Sequence, residues 1–487
     1  MTEINFSEKK VIDLSRIAAS REALQILPAA MARRLGVLPV MIADEKLYVA
    51  MEDDEDYLIL SQLENLVGLP VIVFRAKESG SVAEFIRKYY PEQVSEQEGT
   101  PLGLLEEIVF RAMLSRSSDI HFDPERENGY IRLRIDGMMQ VDQKLPLANM
   151  RELISAVKVT SGLNIAERRV PQDGQLTLWI GDNEVSLRIA TVPTLYGEKM
   201  TLRILTTERT LAELAEVDML GMNEEHLKMF LDTLSSAHGV ILLSGPTGSG
   251  KTTTLYAALR HLKHSGTLHI LSIEDPVEIP LDGINQIRID SERVDFNRAL
   301  RSTLRHDPDV IMIGEIRDAE TADIAIKSSL TGHLVLSTLH ANDSVGVIAR
   351  LLNLGVSPEL VNSALRLVIA QRLVRCPCPH CVQMETPSTV DCEFFGWNNE
   401  EMLVPKAVGC PLCNQTGYVG RLGLYEMVAV DRTVRDMIRN KDNEDALAHY
   451  LFHEKNLLTL KEDGNQKIQK RLTTPAEVRR VVYMNER

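Results

Sequence analysis

The chain of 487 residues lacks any apolar run that approaches the roughly 20 residues of a membrane-spanning helix. Its N-terminus, MTEINFSEKKVIDLSR, also lacks the apolar core of a signal peptide. Basic residues are in deficit, with 54 lysines and arginines against 69 aspartates and glutamates and a formal net charge of −15. These absences predict a cytoplasmic protein that reaches a membrane only through partners. The charge also argues against a protein whose main task is to grip a nucleic acid backbone.

Cysteine is scarce as well, with six cysteines and none before Cys376. A cytosolic chain of this length does not rely on a disulfide framework, so the clustering of these cysteines needs another explanation. Aromatic residues make up only 5% of the chain, but the hydrophobic fraction of 44% suffices for packed cores. We therefore expect ordinary globular domains.

The length predicts about three domains, at roughly 100–200 residues each. The polar, acidic run Glu92–Pro101 is predicted to be a linker, because it is poor in residues that could enter a core. We expect an N-terminal α+β domain over 1–95, a domain of alternating antiparallel strands over 102–207, and an α/β domain with a mostly parallel sheet over 211–487. A cysteine-bearing insertion at 376–420 interrupts the last domain.

The most specific motif is Gly245–Thr252, which matches G-x-x-x-x-G-K-[ST], the loop that wraps the phosphates of a nucleotide. A buried strand is predicted before it at Val240–Leu243 and a helix after it at Thr252–Leu262. In that setting, backbone N–H groups and the positive end of the helix dipole face the phosphates. Lys251 would reach the β- and γ-phosphates, and the Thr252 hydroxyl would bind Mg²⁺. We therefore predict that a nucleoside triphosphate contacts Gly245, Pro246, Thr247, Gly248, Ser249, Gly250, Lys251, Thr252 and Thr253.

Three predicted strands after this loop each end in polar residues. The strands and the residues that follow them are His269–Ile273 with Glu274, Val310–Ile313 with Glu315, and Leu334–Thr338 with His340. In an open α/β sheet, ligands lie at the carboxyl ends of the strands. Carboxylates there can orient an attacking water and hold hydrated Mg²⁺, and a histidine can contact the γ-phosphate. One such residue could be a helix cap or a turn residue, but three after a phosphate loop indicate a site.

Nearly the whole chain resembles one family, the type II secretion and type IV pilus assembly ATPases. The similar segments of the last domain are Gly245–Leu259, Ser272–Pro280, Asp307–Ala322 and Thr331–Asp343. Those of the second domain are Ser118–Pro124, Arg134–Gly137, Ala166–Gly174 and Gly197–Lys199. A looser similarity runs from Leu27 to Tyr90. The resemblance implies a RecA-like ATPase core, preceded by a PAS-like α+β domain and a small N-terminal α+β domain, with ATP and Mg²⁺ as ligands.

The resemblance also implies roles for the polar residues at the strand ends. Glu274 would be the general base or would position the attacking water. Glu315 would hold Mg²⁺ through water. His340, and secondarily His333 just before its strand, would couple the state of the γ-phosphate to domain movement.

In this family the second domain supplies arginines to the nucleotide, and the matching residues are Arg188 and Arg203. A guanidinium group suits the charge that develops on a transferred phosphoryl group. Alternatively, both arginines only pair with surface carboxylates. Arg301, Arg305 and Arg317 also match arginines of the family, and we expect them at subunit interfaces or in ion pairs.

The cysteines form two C-x-x-C motifs separated by 28 residues, a spacing that suits one tetrahedral Zn²⁺ site. The predicted ligands are Cys378, Cys381, Cys410 and Cys413. Four thiolates fill the coordination sphere, so the metal would be structural and would stabilise an insertion too small for its own core. The alternative is a set of free core cysteines. His380 is predicted to be a loop residue, Cys376 offers a fifth thiol nearby, and Cys392 is expected to be a packing residue.

The resemblance implies a homohexameric ATPase that powers assembly of a type IV pilus or a type II secretion pseudopilus through an inner-membrane platform protein. The cysteine insertion and the first domain are features of the assembly and secretion members, whereas retraction motors lack both. The first domain is expected to dock on the cytoplasmic domain of an inner-membrane protein.

Two other classes of function stay open. A helicase or DNA-transfer motor on the same core would need a basic, aromatic-lined channel, which the acidic charge and low aromatic content disfavour. A scaffold that binds nucleotide without hydrolysing it would not need the whole set of Lys251, Thr252, Glu274 and Glu315, so this set disfavours it.

Overall fold

The structure is a computed structural model that divides into two compact units, residues 1–208 and 209–487. It describes residues 11–12, 14, 19–27, 29–52, 59–60, 63–64, 67–76, 81–90, 100–180, 183–205, 216–289, 295–398, 402–410, 413, 415–440 and 444–483. Residues 92–99 of the predicted linker lie outside this set. Among the described residues, no helix combines the length and the apolar character needed to cross a bilayer.

The first unit begins with a four-stranded mixed sheet. Its strands are β1 (Val11–Ile12), β2 (Leu38–Ala43), β3 (Lys46–Met51) and β4 (Val71–Ala76), in the order β1-β4-β3-β2. β4 is parallel to β1 and to β3, whereas β2 pairs with β3 in antiparallel fashion. The helices of this region are Arg21–Ile26, Ala29–Leu35 and Ser81–Tyr89. The small N-terminal α+β arrangement is thus confirmed.

Six antiparallel strands form the second sheet of the same unit. They are β5 (Ser117–Pro124), β6 (Asn128–Ile135), β7 (Met138–Pro146), β8 (Gln172–Ile180), β9 (Asn183–Thr194) and β10 (Gly197–Ile204), in the order β7-β6-β5-β10-β9-β8. Alternation along the strands places Ile120, Ile131 and Leu202 in the core, because side chains two residues apart share a face. The helices Pro101–Leu114 and Leu147–Thr160 contribute to the same core. The opposite face carries polar side chains and also exposed apolar ones, among them Trp179 on β8 and Val192 on β9.

The second unit is built on a seven-stranded sheet that is parallel except for its last strand. The strands are β11 (Gly239–Ser244), β12 (Ile270–Glu274), β13 (Asn285–Arg288), β14 (Val310–Ile313), β15 (Leu334–Leu339), β16 (Leu365–Pro377) and β19 (Tyr418–Ala429), in the order β13-β12-β14-β15-β11-β16-β19. β16 and β19 pair in antiparallel fashion, and the insertion between them holds the ribbon of β17 (Gln383–Glu385) and β18 (Val404–Lys406). The predicted mostly parallel α/β core is confirmed.

β11 is buried along its whole length, and its alternate side chains enter two different cores. Val240 and Leu242 pack on one face of the sheet, whereas Ile241 and Leu243 pack on the other. Each such side chain contributes about 1.5–3 kcal/mol on burial. Burial on both faces explains why this strand shows as a continuous apolar run and not as an alternating one.

The helices of this unit supply both of these cores and a smaller third core beside the cysteine-bearing insertion. They are Glu224–Leu234, Lys251–Lys263, Phe296–Thr303, Ala319–Leu330, Ser344–Asn353, Pro358–Ala364, Thr389–Phe395, Arg432–Asn440, Glu444–His449, Leu460–Gln469 and Pro475–Tyr483, with a 3₁₀ turn at Val217–Leu220 and a π-helix at Tyr450–Glu454. Ala322 and Val347 pack on the face of Val240, and Phe230 and Tyr256 pack on the opposite face. The sheet is therefore covered on both sides, as a parallel sheet requires.

Candidate nucleotide-binding site

The predicted phosphate loop joins β11 to the helix Lys251–Lys263. Gly245 has a φ of +148°, and a Cβ on it would lie 2.4 Å from the backbone oxygen of Gln371, so the position admits only glycine. Gly250 is the N-cap of the helix, and the first N–H groups of a helix are left for partners outside it. An anionic phosphate group is the ligand that such a helix start attracts.

Lys251 folds back over the loop. Its Nζ donates hydrogen bonds to Gly245 O at 2.6 Å and to Pro246 O at 3.0 Å. Burial lowers the pKa of Lys251, and the positive charge of Arg372 lowers it further, whereas Glu315 raises it. The ammonium group thus lies in the electrostatic field of a carboxylate from a neighbouring strand end.

Glu315 and His340 come together at the edge of the sheet where the loop lies. Glu315 follows β14, His340 follows β15, and the carboxyl ends of parallel strands share one edge. Glu315 Oε2 lies 3.3 Å from His340 Nε2, and Arg317 forms an ion pair with Glu315. His340 and Arg317 are exposed, and Glu315 is partly so. This group of side chains is accessible to a ligand bound at the loop.

Glu274, the last residue of β12, is in contrast only 4% exposed. One carboxylate oxygen accepts hydrogen bonds from Ser272 Oγ at 2.6 Å and from Gln286 Nε2 at 3.0 Å. The other accepts the hydroxyl of Tyr256, whose pKa is raised by burial and by this negative charge. These three hydrogen bonds fix the side chain and leave one acceptor site on the oxygen that faces Tyr256.

Within the chain, His333 lies away from this edge of the sheet, and the secondary role that the resemblance implied for it stays a prediction. It precedes β15, so it lies at the amino end of that strand, whereas His340 follows the carboxyl end. The two histidines are seven residue steps apart, which spans about 23 Å of extended strand. The ring of His333 is bound locally, with Nδ1 2.8 Å from Ser328 O and 3.1 Å from Thr331 Oγ1.

Arg203 and Arg188 lie directly opposite each other on β10 and β9 of the first unit. Arg203 Nε donates to Asp119 Oδ1 at 2.9 Å, so the carboxylate pairing considered as an alternative does occur for this residue. Burial alone would raise the pKa of Asp119, but hydrogen bonds from Arg203 and Ser118 outweigh burial and lower it. Both arginines are exposed. Two like charges opposite each other on a sheet repel, which an anionic ligand would relieve.

The three other arginines of the family pattern lie on the surface of the second unit. Arg301 forms an ion pair with Glu320, and Arg317 pairs with Glu315, as expected for such residues. Arg305 is exposed.

Sequence reasoning missed two buried residues of β16, Gln371 and Arg372, which lie against the phosphate loop. Arg372 NH1 would lie 3.1 Å from a Cβ on Gly245. The signal that could have found them is a polar pair inside the apolar run Leu365–Val374. Such a pair in a buried strand needs partners in the core, and here the partners are parts of the site.

The four predicted metal ligands come together in one cluster. Their sulfur atoms all lie within 4.8 Å of one another, with Sγ–Sγ distances of 3.9 Å for Cys378 and Cys410, 3.8 Å for Cys381 and Cys413, and 3.7 Å for Cys410 and Cys413. A tetrahedral Zn²⁺ with Zn–S bonds of about 2.3 Å separates its sulfurs by about 3.8 Å. The cluster therefore fits a tetrahedral metal such as zinc.

Backbone groups favour a thiolate in this cluster. Burial alone would raise the pKa of Cys413, but the N–H groups of Cys410 and Gly417, both donating to its sulfur, lower it to about 7. The remaining cysteines lie apart from the four ligands: Cys376 is in β16, and Cys392 is in the helix Thr389–Phe395.

Family profiles match almost the whole chain. A profile described as "Type II/IV secretion system protein" matches residues 95–480, and one described as "MshEN domain" matches residues 7–96.

Individual relatives include proteins of two machines. The chain is 41% identical over 397 residues to the type II secretion system protein E of Pseudomonas aeruginosa, covering 80% of this chain and 77% of that protein. It is 40% identical over 394 residues to the type II secretion system ATPase E of Vibrio cholerae, covering 80% and 76%. It is 35% identical over 482 residues to the type IV pilus assembly ATPase PilB of Thermus thermophilus, covering 93% and 54%.

Among solved structures, the ATPase DotB of Legionella pneumophila is similar with a TM-score of 0.59. The identity is 19%, and the match covers 79% of this chain and 96% of that chain. At this identity the likeness concerns the fold, and it agrees with the parallel sheet described above.

A methyl group on Gly245 would test the geometry of the loop. Gly245→Ala places Cβ against a backbone oxygen that cannot move aside, so we expect nucleotide binding to weaken at least about 100-fold. Gly266→Ala, beyond the far end of the helix that follows the loop, is the matched control, because a Cβ there meets nothing within 4 Å and only the φ of +69° adds strain, about 1–2 kcal/mol. Binding of a fluorescent ATP analogue, with thermal melting to confirm folding, measures both. An equal loss of nucleotide affinity in the two variants would contradict the described geometry of the loop.

Proposed function

Since the chain belongs to the type II/IV secretion system protein family and is an ATPase of it, we propose that its ATP hydrolysis powers assembly of a type II secretion pseudopilus or a type IV pilus. The proposal rests on one observation: Lys251, Glu315 and His340 lie at the same edge of the sheet. They lie beside a phosphate loop that has no room for a side chain at Gly245. Among the relatives, proteins named for both machines match at 35–41% identity.

ATP and Mg²⁺ are the proposed ligands of this edge. Lys251 has its ammonium group over the loop, where it would exchange its carbonyl partners for phosphate oxygens. Thr252, in the first turn of the helix, would bind Mg²⁺ through its hydroxyl. Bound Mg²⁺ would neutralise charge on the transferred phosphoryl group, and the residues described here would orient the phosphates and the attacking water.

Glu315 and Glu274 have different proposed roles in the reaction. Glu315 is partly exposed and beside His340, and it would hold Mg²⁺ through water. Glu274 would act as the general base or would position the attacking water, with its side chain held by hydrogen bonds from Tyr256, Ser272 and Gln286.

Arg188 and Arg203 would complete the site from the second domain. Their charges face each other on an exposed sheet surface, and guanidinium groups suit the charge on a phosphoryl group in transfer. An ATPase that borrows arginines from another domain links hydrolysis to domain movement. We propose that six copies form a ring, that residues 1–95 dock on an inner-membrane partner, and that the protein is cytoplasmic and membrane-associated only through such partners.

Neutralising each carboxylate separates their roles. We expect Glu274→Gln to lower kcat at least about 100-fold while MgATP affinity stays within about threefold, because a base acts in the chemical step. Glu315→Gln should instead raise the Mg²⁺ concentration for half-maximal activity about tenfold. Steady-state ATPase assays over a Mg²⁺ series measure both, with the exposed Glu359→Gln as the control. The reverse pattern would assign the base to Glu315.

The same assay tests the arginines. Arg188→Ala and Arg203→Ala are expected to lower kcat about 100-fold or more with little loss of ATP binding, because the contact is made in the transition state. Arg126→Ala, an exposed arginine in the turn between β5 and β6, should have no effect. If both variants keep the kcat of the wild type, Arg188 and Arg203 have no role in hydrolysis and are surface charges only.

Zinc is the proposed occupant of the cysteine cluster. Elemental analysis of the purified chain is expected to find one zinc per molecule, and Cys378→Ser should lose it and expose the insertion to protease, because the metal stabilises a segment without a core of its own. Cys392→Ser should keep the metal, since that cysteine lies outside the cluster. Full zinc retention in Cys378→Ser would refute the ligand assignment.

The partner identifies the machine. We expect the full-length chain, carrying Glu274→Gln to prolong the ATP-bound state, to co-purify from crosslinked cells with an inner-membrane protein of a secretion or pilus apparatus. A chain without residues 1–95 should lose this partner and keep its ATPase activity. Capture of DNA, with DNA-stimulated hydrolysis, would contradict the proposed function.

A further inference from the structure

Two side chains of β16, Gln371 and Arg372, form the surface on which the phosphate loop rests. They are 2% and 3% exposed. A Cβ on Gly245 would lie 2.4 Å from Gln371 O and 3.1 Å from Arg372 NH1, and a Cβ on Gly250 would lie 2.8 Å from Gln371 Nε2. The pair thus contacts the loop near both of its ends.

Gln371 also binds the helix that follows the loop. Its Oε1 accepts a hydrogen bond of 2.9 Å from Thr254 Oγ1, which is fully buried in the first turns of that helix. A buried hydroxyl needs such an acceptor, because water cannot replace it. One side chain therefore fixes the helix start relative to β16, while its backbone limits where the loop can lie.

Arg372 connects the loop to the segment that carries His340. Its NH1 donates to Gln371 O at 2.9 Å, and its NH2 donates to Asn342 O, two residues after His340. A guanidinium stays charged in the protein interior, and burying that charge is unfavourable. Here the charge also acts on Lys251 above the loop.

The carboxylates of Glu426 and Asp343 act on Arg372 as well and offset part of its charge. An anion bound at the loop would be attracted by Lys251 and by the remaining charge of Arg372.

We propose that Gln371 and Arg372 are positioning residues of the ATPase site. Gln371 holds the phosphate loop and its helix in the geometry that binds nucleotide. Arg372 provides a second, buried positive charge beneath the loop and fixes the segment of His340. This inference rests on the proposed ATPase function, and it adds two residues of a strand that carries none of the predicted site residues.

Full-length variants separate the two roles. Gln371→Leu removes the acceptor of Thr254 and keeps the side-chain volume, so KM for MgATP should rise about tenfold while kcat stays within about twofold. Arg372→Met removes both the charge and the link to Asn342, so it should raise KM about tenfold and also lower kcat about tenfold. Arg366→Met, at the amino end of the same strand, is the matched control and should match the wild type.

The conservative variant distinguishes positioning from general stability. Arg372→Lys keeps the charge but cannot bridge two carbonyls in the same way, so it should restore KM and leave kcat low. Parallel recovery or parallel loss of KM and kcat in Arg372→Lys would overturn the proposal. Wild-type kinetics in Gln371→Leu and Arg372→Met would overturn it as well. Thermal melting and zinc content verify folding. If Arg372→Met does not fold, Gln371→Leu and Arg372→Lys still test the proposal.

The wild-type chain separates this inference from the proposed function. Absence of ATPase activity in the wild type would refute the proposed function itself, whereas an active wild type with unaffected variants refutes only this inference.

Discussion

The nucleotide site depends on how β11 is flanked by its two neighbours. Ser244, at the end of β11, lies opposite Leu339 of β15 and Ala370 of β16 in parallel register. This pairing brings the phosphate loop, His340 and Gln371 to one end of the sheet, although they come from distant parts of the chain. A slip of one residue would turn the apolar side chains of β11 to the wrong core. A strand without a functional side chain therefore sets the geometry of the site.

Local patterns predicted much of this architecture. The strand Val240–Leu243 and the helix Thr252–Leu262 were predicted within one or two residues of Gly239–Ser244 and Lys251–Lys263, because an apolar run, a glycine loop and a helix start are all short-range signals. The cysteine cluster was equally predictable, since the ligand chemistry demands the residue type itself at a regular spacing.

Other features of the site depend on contacts between distant segments. The burial of Glu274 under Tyr256 is set by the packing of a helix on β12, and the position of Gln371 beneath the loop is set by the pairing of β16 with β11. In the sequence, the only local sign of either contact is a polar residue in or beside an apolar run. His333 is a different case, because strand direction alone places it at the far edge of the sheet.

β16 continues past the nucleotide site into the cysteine cluster, and Cys378 lies about 23 Å along the strand from Gln371. Beyond Ala370 the strand pairs with β19 alone, and Glu477 binds both the backbone N–H and the guanidinium of Arg375 midway. One strand therefore connects the phosphate loop to the cysteine cluster. If a protein that binds at the cysteine cluster changes the affinity for ATP through β16, the coupling is reciprocal. ATP then changes the affinity for that protein by the same factor.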